Sequence, residues 1–416
     1  MTPPWVPAIY LHCTACVPIV KHGIESARVA KIKVAVVAGT RPECIKMAPV
    51  YFALQNRAAI EPVFLATAQH RQMLDQTLTV FGIRPEHDLD LMQPGQTLAE
   101  LTARVILAVS QWCQSEKPAA ILVQGDTTTV LASAIAAFYQ GVPVGHVEAG
   151  LRTGDMRSPF PEEMNRRLTS PLAKWHFCPT SLSAQNLERE AVDPSLIHIT
   201  GNTVIDSLLW VRERLAARGV TLKSVVANTK IPADFAERFL NEEKARWILV
   251  TGHRRESFGG GFERICESIV KLVERYPDIG ILYPVHLNPN VREPVNRLLG
   301  SHPAIALIEP VDYLQFVWLM DRCTFLLSDS GGVQEEAPSL GKPVLVMRET
   351  TERPEGIDAG TCRLVGTDPV RILQEAGRLL DDSAEYDRRS SLANPYGDGQ
   401  SAERIADVIE AWAKTC

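Results

Sequence analysis

Four segments of this chain, the fourth made of two pieces in the second half, follow short apolar runs and carry glycine together with side chains that move protons or hold anions. After Lys33–Ala38 comes Gly39-Thr40-Arg41-Pro42-Glu43, followed by Lys46. Gly39 suits a tight turn, and Pro42 suits a helix's first turn, where a missing N–H is tolerated. Arg41 and Lys46 then stand either at a positive helix end, a place for an anion, or as ordinary solvated charges on a capped helix. After Ala120–Val123 comes Gln124-Gly125-Asp126-Thr127-Thr128-Thr129, in which Asp126 is placed to cap the next helix. After Val142–Val147 come Glu148-Ala149-Gly150-Leu151-Arg152 and then Pro161-Glu162-Glu163. A carboxylate such as Glu148 at the end of a buried strand is costly unless it is paired or used. Asp126, Glu148 and Glu162 at neighbouring strand ends form a constellation suited to general acid/base work, because crowding raises one carboxyl relative to another.

The second half of the chain offers the partner surface. Thr251-Gly252-His253-Arg254-Arg255-Glu256 follows Trp247–Val250, and Ser328-Asp329-Ser330-Gly331-Gly332 follows Phe325–Leu327. Ser330-Gly331-Gly332 opening a helix over Val333–Leu340 supplies backbone N–H groups and a hydroxyl, as phosphate binding requires. Glu335 or Glu336 in that helix reaches a ribose diol, and Arg353 adds positive charge. Taken together, loops of this kind in both halves indicate a nucleoside diphosphate in a cleft.

Such loops need a scaffold, and the hydrophobic pattern supplies one. From Ile32 onward strand-like and helix-like stretches alternate, and the strands are near-continuous apolar runs. This is the pattern of α/β proteins whose parallel sheets are covered on both faces. Helices are expected over Glu43–Gln55, Thr127–Tyr139, Glu162–Leu172, Gly261–Tyr276, Asp312–Met320 and Ser401–Ala413. Ligands in such sheets bind beyond the carboxyl ends of the strands, where the four segments lie. The expected architecture is two doubly wound, Rossmann-like domains facing across a cleft: 32–200, and 201–395 for the nucleotide. The helix within 396–416 returns to the first domain, and 216–237 is expected to be a surface connection. Residues 1–31 read as a leader outside the fold. Four prolines break that stretch, its first ten residues lack the basic charge of a secretory signal, and Cys13-Thr14-Ala15-Cys16 has no second ligand pair nearby for zinc.

Composition narrows the class further. Of 416 residues, 45% are hydrophobic and 22% charged, with 43 Lys+Arg against 49 Asp+Glu and a net charge of −6. That balance excludes a disordered chain and argues against a broad nucleic-acid face. The apolar runs are too short to span a bilayer. Nine cysteines, an odd number, read as reduced thiols. A P-loop, a Gly-x-Gly-x-x-Gly dinucleotide fingerprint, a Gly-x-Ser-x-Gly elbow and His-Glu-x-x-His are all absent. His70, His146, His253 and His286 are too dispersed to suggest a metal site.

As a set the loops resemble the non-hydrolysing UDP-N-acetylglucosamine 2-epimerases of bacteria. The carrying segments include 39–43, Thr67-Ala68-Gln69-His70-Arg71-Gln72-Met73-Leu74-Asp75-Gln76, 124–129, 145–152 with 161–163, and 252–256. Pro284-Val285-His286-Leu287-Asn288-Pro289 and Asp329-Ser330-Gly331-Gly332-Val333-Gln334-Glu335-Glu336-Ala337-Pro338 complete them. The resemblance implies a glycosyltransferase-B type fold, a homodimer in the cytoplasm and no cofactor. It also implies reversible conversion of UDP-GlcNAc to UDP-ManNAc for a surface polysaccharide. UDP is eliminated across C1–C2 to a 2-acetamidoglucal and then re-added, which explains why no hydride carrier is encoded. By the same resemblance Asp126, Glu148, Glu162 and His253 are catalytic. Arg41, Lys46, Asp126, Glu148, His253, Val311, Phe316, Ser330, Gly331, Gly332, Glu336 and Arg353 bind substrate, with Glu336 on the ribose and Phe316 beside the uracil. Gln69, His70, Gln72, Gln96, Glu162, Arg254 and His286 match an allosteric site for a second UDP-GlcNAc, although Gly95 stands where some members carry arginine. The competing readings are a retaining UDP-sugar glycosyltransferase, a hydrolysing relative that releases free ManNAc and UDP, and a catalytically silent nucleotide-sugar sensor.

Overall fold

Apolar runs rich in valine, isoleucine and leucine become the central strands of two sheets. In the computed structural model, which describes residues 31–68, 71–93, 95–241 and 246–416, both sheets are wholly parallel. The leader, with Cys13 and Cys16, lies outside the described residues, as do Gln69 and His70. The first sheet has seven strands: β1 (Ile32–Ala38), β2 (Ile60–Ala66), β3 (His87–Asp88), β4 (Ala120–Gln124), β5 (Val144–Val147), β6 (Trp175–Cys178) and β7 (Ile197–Ile199). The second has six: β8 (Arg246–Thr251), β9 (Ile279–Pro284), β10 (Ile305–Ile308), β11 (Phe325–Ser328), β12 (Val344–Val346) and β13 (Cys362–Leu364). Their spatial orders are β3-β2-β1-β4-β5-β6-β7 and β10-β9-β8-β11-β12-β13.

Each order reverses direction once, between β1 and β4 in the first sheet and between β8 and β11 in the second. At such a switch point neighbouring loops diverge to opposite faces and leave a crevice beyond the strand ends. The four segments singled out by residue type include the loops after β1, β4, β8 and β11. Topology therefore explains why these loops, among many strand ends, converge on one place.

Local sequence fixes the loops that matter. Thr40 caps the helix Arg41–Gln55, and Glu43 closes a capping box. The Glu43 carboxylate accepts the N–H groups of Gly39 (2.6 Å) and Thr40 (2.8 Å) and the hydroxyl of Thr127. One buried carboxylate thus joins the β1 and β4 loops across the switch point, and burial pushes its pKa upward. Thr127, not Asp126, caps the helix Thr128–Tyr139, so the expected capping role of Asp126 is not the one it has.

The two sheets are joined twice. The chain leaves β7 through Gly201 into the helix Thr203–Ala217, and returns through 394–400 into the helix Ser401–Ala413. The two crossings are hydrogen-bonded, Asn202 N–H to the Tyr396 carbonyl at 2.7 Å. The returning helix packs on Arg41–Gln55 and on Thr203–Ala217. There Trp412 meets Trp175 edge-on at 4.9 Å, and Arg57 pairs with Glu403 (2.8 Å) and Asp407 (2.6 Å).

Some boundaries differ from the sequence reading. Residues 216–237 are not a plain surface connection, because they hold the helices Leu222–Thr229 and Ala233–Phe239, with Val225, Phe235 and Phe239 buried. Ring contacts made far away in sequence, Phe239 beneath Gly280 of β9 for instance, decide this segment. The helix expected over Val333–Leu340 starts at Gly331, runs to Glu336 and ends in a 3₁₀ turn. Among the described residues no helix is long and apolar enough to cross a membrane.

Candidate active site

On the first sheet's side, a cavity of about 220 Å³ is lined by Lys46, Gln124, Asp126, Glu148, Arg166 and Arg353 among others. Glu148, at the end of β5, takes a left-handed backbone conformation (φ 63°) that few non-glycine residues adopt. Its buried carboxylate is fully engaged. Lys46 Nζ lies 2.5 Å from one oxygen, Asn202 donates to the same oxygen at 3.2 Å, and Gln124 donates to the other. Asp126, just after β4, is held by Arg166, whose Nε and Nη2 lie 2.9 and 2.7 Å from Oδ2. Asn165 donates to the Asp126 carbonyl at 2.8 Å, and Glu163 holds Arg166 from behind at 3.1 Å. Glu162 differs from the expectation. It heads the helix Glu162–Thr169 rather than a strand end, lines neither this cavity nor the next, and leaves Oε2 buried without a hydrogen bond.

On the second sheet's side, a cavity of about 380 Å³ is lined by Arg41, Lys46, His253, Tyr313, Phe316, Ser330, Gly332, Glu335, Glu336 and Arg353, with Ile45 and Val204 as apolar wall. Gly331 is small for a reason: a Cβ there would come within 2.5 Å of the Arg353 guanidinium carbon, so the arginine lies directly over it. Tyr313 donates to Glu336 at 2.9 Å. Burial nevertheless pushes the Glu336 carboxyl up to about 7. Asp329 accepts the backbone N–H groups of His253 (2.7 Å) and Arg254 (2.8 Å), and its other oxygen lies 3.2 Å from His253 Nδ1. Burial alone would raise Asp329, but the histidine and those N–H groups outweigh it and hold the carboxyl below its usual range. The contact turns the Nδ1 edge of the His253 ring toward the Asp329 carboxylate. Val311 is half-buried just ahead of the helix Tyr313–Arg322 and does not line the cavity.

Lys46 and Arg353 line both cavities and make them one site. Lys46 comes from the first sheet's half and lies 3.4 Å from Glu335 of the second. Arg353 lies 2.7 Å from Glu335 and 2.6 Å from Glu352. Burial works against both cations, yet the neighbouring acids outweigh it, Glu148 and Glu335 for Lys46 and Glu335 and Glu352 for Arg353, and hold each above its ordinary pKa. The arrangement sets two carboxylates against a nest of Arg41, Lys46, His253 and Arg353. That is what breaking a bond to a dianionic leaving group requires.

Comparison with known proteins decides the class. The family profile of UDP-N-acetylglucosamine 2-epimerases matches residues 52–410. The chain belongs to that family. A relative of the same name from Salmonella typhimurium is 56% identical over 383 residues, 92% of this chain and 99% of the relative. The Neisseria meningitidis UDP-GlcNAc 2-epimerase, crystallised with UDP-GlcNAc, superposes with a TM-score of 0.81 at 46% identity over 91% of this chain and 99% of that one. The Methanocaldococcus jannaschii UDP-GlcNAc 2-epimerase in complex with UDP-GlcNAc and UDP gives 0.73 at 31% identity, covering 91% and 100%.

Among the residues of this epimerase-family chain matched to an allosteric ligand, Gln69 and His70 lie outside the described residues, and the others are placed as follows. His286 stacks on His253 with ring centroids 5.6 Å apart. Gln96 accepts from Arg104 at 2.8 Å on its own loop. Arg254 reaches Glu352 at 3.3 Å and lines a third cavity of about 910 Å³ beside the β5 and β6 loops, which shares His253 with the second cavity and Leu151 with the first. Gln72 sits in the helix Arg71–Phe81. Sequence reading missed Asn202, Arg166 and Tyr313, which position Glu148, Asp126 and Glu336. Arg166 stands three residues after the quoted Glu163, the spacing that puts two side chains on one helical face.

Proposed function

We propose that the chain interconverts UDP-N-acetylglucosamine and UDP-N-acetylmannosamine by eliminating UDP and adding it back through a 2-acetamidoglucal. The observation that carries this reading is the meeting of Asp126 and Glu148, at adjacent strand ends, with a cation cluster drawn from both halves, Arg41 and Lys46 from the first and His253 and Arg353 from the second. One carboxyl group removes the C2 proton and gives it up to solvent, and the other delivers a solvent-derived proton to C2 on the opposite face. The cations stabilise the negative charge growing on the departing diphosphate, in a site already organised for it. Ser330, Gly331 and Gly332 let the diphosphate approach the backbone, Glu336 accepts from the ribose, and Phe316 lies beside the base. Glu162 is the third acid/base residue, brought into the site as the two halves close, and a second UDP-GlcNAc is the activator for which Gln69, His70, Gln72, Gln96, Glu162, Arg254 and His286 are matched. No step calls for a cofactor.

The same reading treats 32–200 and 201–395 as two domains that close on substrate, in a cytoplasmic homodimer supplying a surface polysaccharide. Support for the dimer comes from the outer face of three successive helices, Leu98–Glu116, Thr128–Tyr139 and Glu162–Thr169. They expose Leu107 (64%), Phe138 (58%), Tyr139 (71%) and Leu168 (47%), the kind of apolar patch that marks an interface.

NMR of UDP-GlcNAc incubated with the protein in D2O tests the chemistry. UDP-ManNAc carrying deuterium at C2 is expected, without any acceptor. A product that keeps its C2 proton rules the elimination out.

A further inference from the structure

Three acids lie beside Lys46 and Arg353, the buried Glu148 and Glu335 and the half-buried Glu352, and Glu335 is paired with both cations. Glu335 is 2% exposed. Its Oε1 accepts from Arg353 Nε at 2.7 Å. Its Oε2 faces Lys46 Nζ at 3.4 Å, yet is buried and makes no hydrogen bond. A carboxylate so placed carries a full desolvation cost for a half-satisfied geometry, which a purely structural ion pair would avoid. Its backbone carbonyl is also fixed, by Asn394 of the second crossing at 2.8 Å, so the side chain is aimed rather than loose.

Resting on the function proposed above, we infer that Glu335 competes with the diphosphate for Lys46 and Arg353 and thereby sets how tightly UDP is held. The two cations available to the diphosphate from opposite sides of the cleft are the two that Glu335 faces. Binding of UDP is then an exchange in which one anion replaces another, and the site gives up part of the affinity that four positive groups would otherwise confer. A reversible elimination has use for this. UDP must depart, wait beside the glucal and attack again, and nucleotide held equally tightly throughout adds nothing to the rate. Lys46 and Glu335 come from different halves, so the exchange also couples nucleotide binding to the contact across the cleft.

Titration calorimetry with UDP as the probe tests this without relying on turnover. Glu335→Gln keeps the shape and removes the charge. It is expected to bind UDP about tenfold more tightly than the natural chain, because like charges facing each other cost affinity. The KM for UDP-GlcNAc should fall with it, while kcat does not rise. Glu335→Asp retains the charge but withdraws it from Lys46; its affinity should fall between the other two, and it decides the matter if the glutamine variant does not fold. UDP affinity unchanged or weakened in these variants overturns the inference, since Glu335 would then merely support Arg353. A natural chain that does not bind UDP at all overturns the proposed function as well.

Discussion

Asp126 and Arg353 illustrate how differently two charged residues in one site are expected to behave. Asp126 is held by Arg166 but leaves Oδ1 to the cavity, so Asp126→Asn should cut kcat by at least about a hundredfold and barely alter UDP affinity. Arg353→Ala should instead weaken UDP binding by about a hundredfold, because it removes one of the cations lining the cavity and leaves the buried Glu335 with only its 3.4 Å contact to Lys46. Parallel kinetics and calorimetry check both, and an Asp126→Asn enzyme of normal rate refutes the assignment. Glu336 adds a pH dependence. Burial raises its carboxyl from 4.5 to about 7, so its share of folding stability is full below 4.5 and is lost as pH rises through 7. The ionised carboxylate accepts hydrogen bonds from a ribose more strongly than the neutral acid does, so UDP affinity should climb as pH rises through 7 and then level off. Glu336→Gln should flatten that profile in calorimetry between pH 6 and 8.

Among the elements, the two crossings between the sheets are where backbone conformation is least negotiable. Gly201 has φ 90°, and a Cβ there would meet Ser401 Oγ at 2.6 Å and Gly397 Cα at 3.4 Å. Gly201→Ala is therefore expected to cost roughly 1–3 kcal/mol in a denaturant titration, and to lower kcat by disturbing Asn202 and with it Glu148. The neighbouring Asp206 accepts the N–H of Ala402 at 2.8 Å and so caps the returning helix from another element. Most of this framework was legible beforehand, since strand runs ending in glycine and capped helices are local patterns. The short strands β6 and β7 and the pair of helices within 216–237 were not. They are set by neighbours distant in the chain, such as the Trp175–Trp412 contact and Phe239 against β9.

For the molecule as a whole, the proposed dimer makes a simple demand of the exposed helical face. Leu107→Glu combined with Phe138→Glu should halve the mass seen by light scattering while leaving the circular dichroism unchanged, because both side chains point to solvent in the single chain. If the doubly substituted protein keeps the natural mass, that face is not the interface. The net charge of −6 gives no hint of an anion site. The site exists because the switch points of two sheets bring Arg41, Lys46, His253 and Arg353 together, and local potential rather than net charge governs ligand binding.

The sequence by itself determined the fold class, the loops that carry chemistry and the family, because strand runs, turn glycines and motif residues are written locally. Only the tertiary structure decided which acids share a cavity, since that depends on strand order. It placed Asp126 and Glu148 in one cavity just beyond the ends of the paired strands β4 and β5, and left Glu162 at a helix start outside that cavity. It also set Glu335 against Lys46 across the cleft, a pairing of residues 289 positions apart (335 − 46) that no spacing along the chain announces.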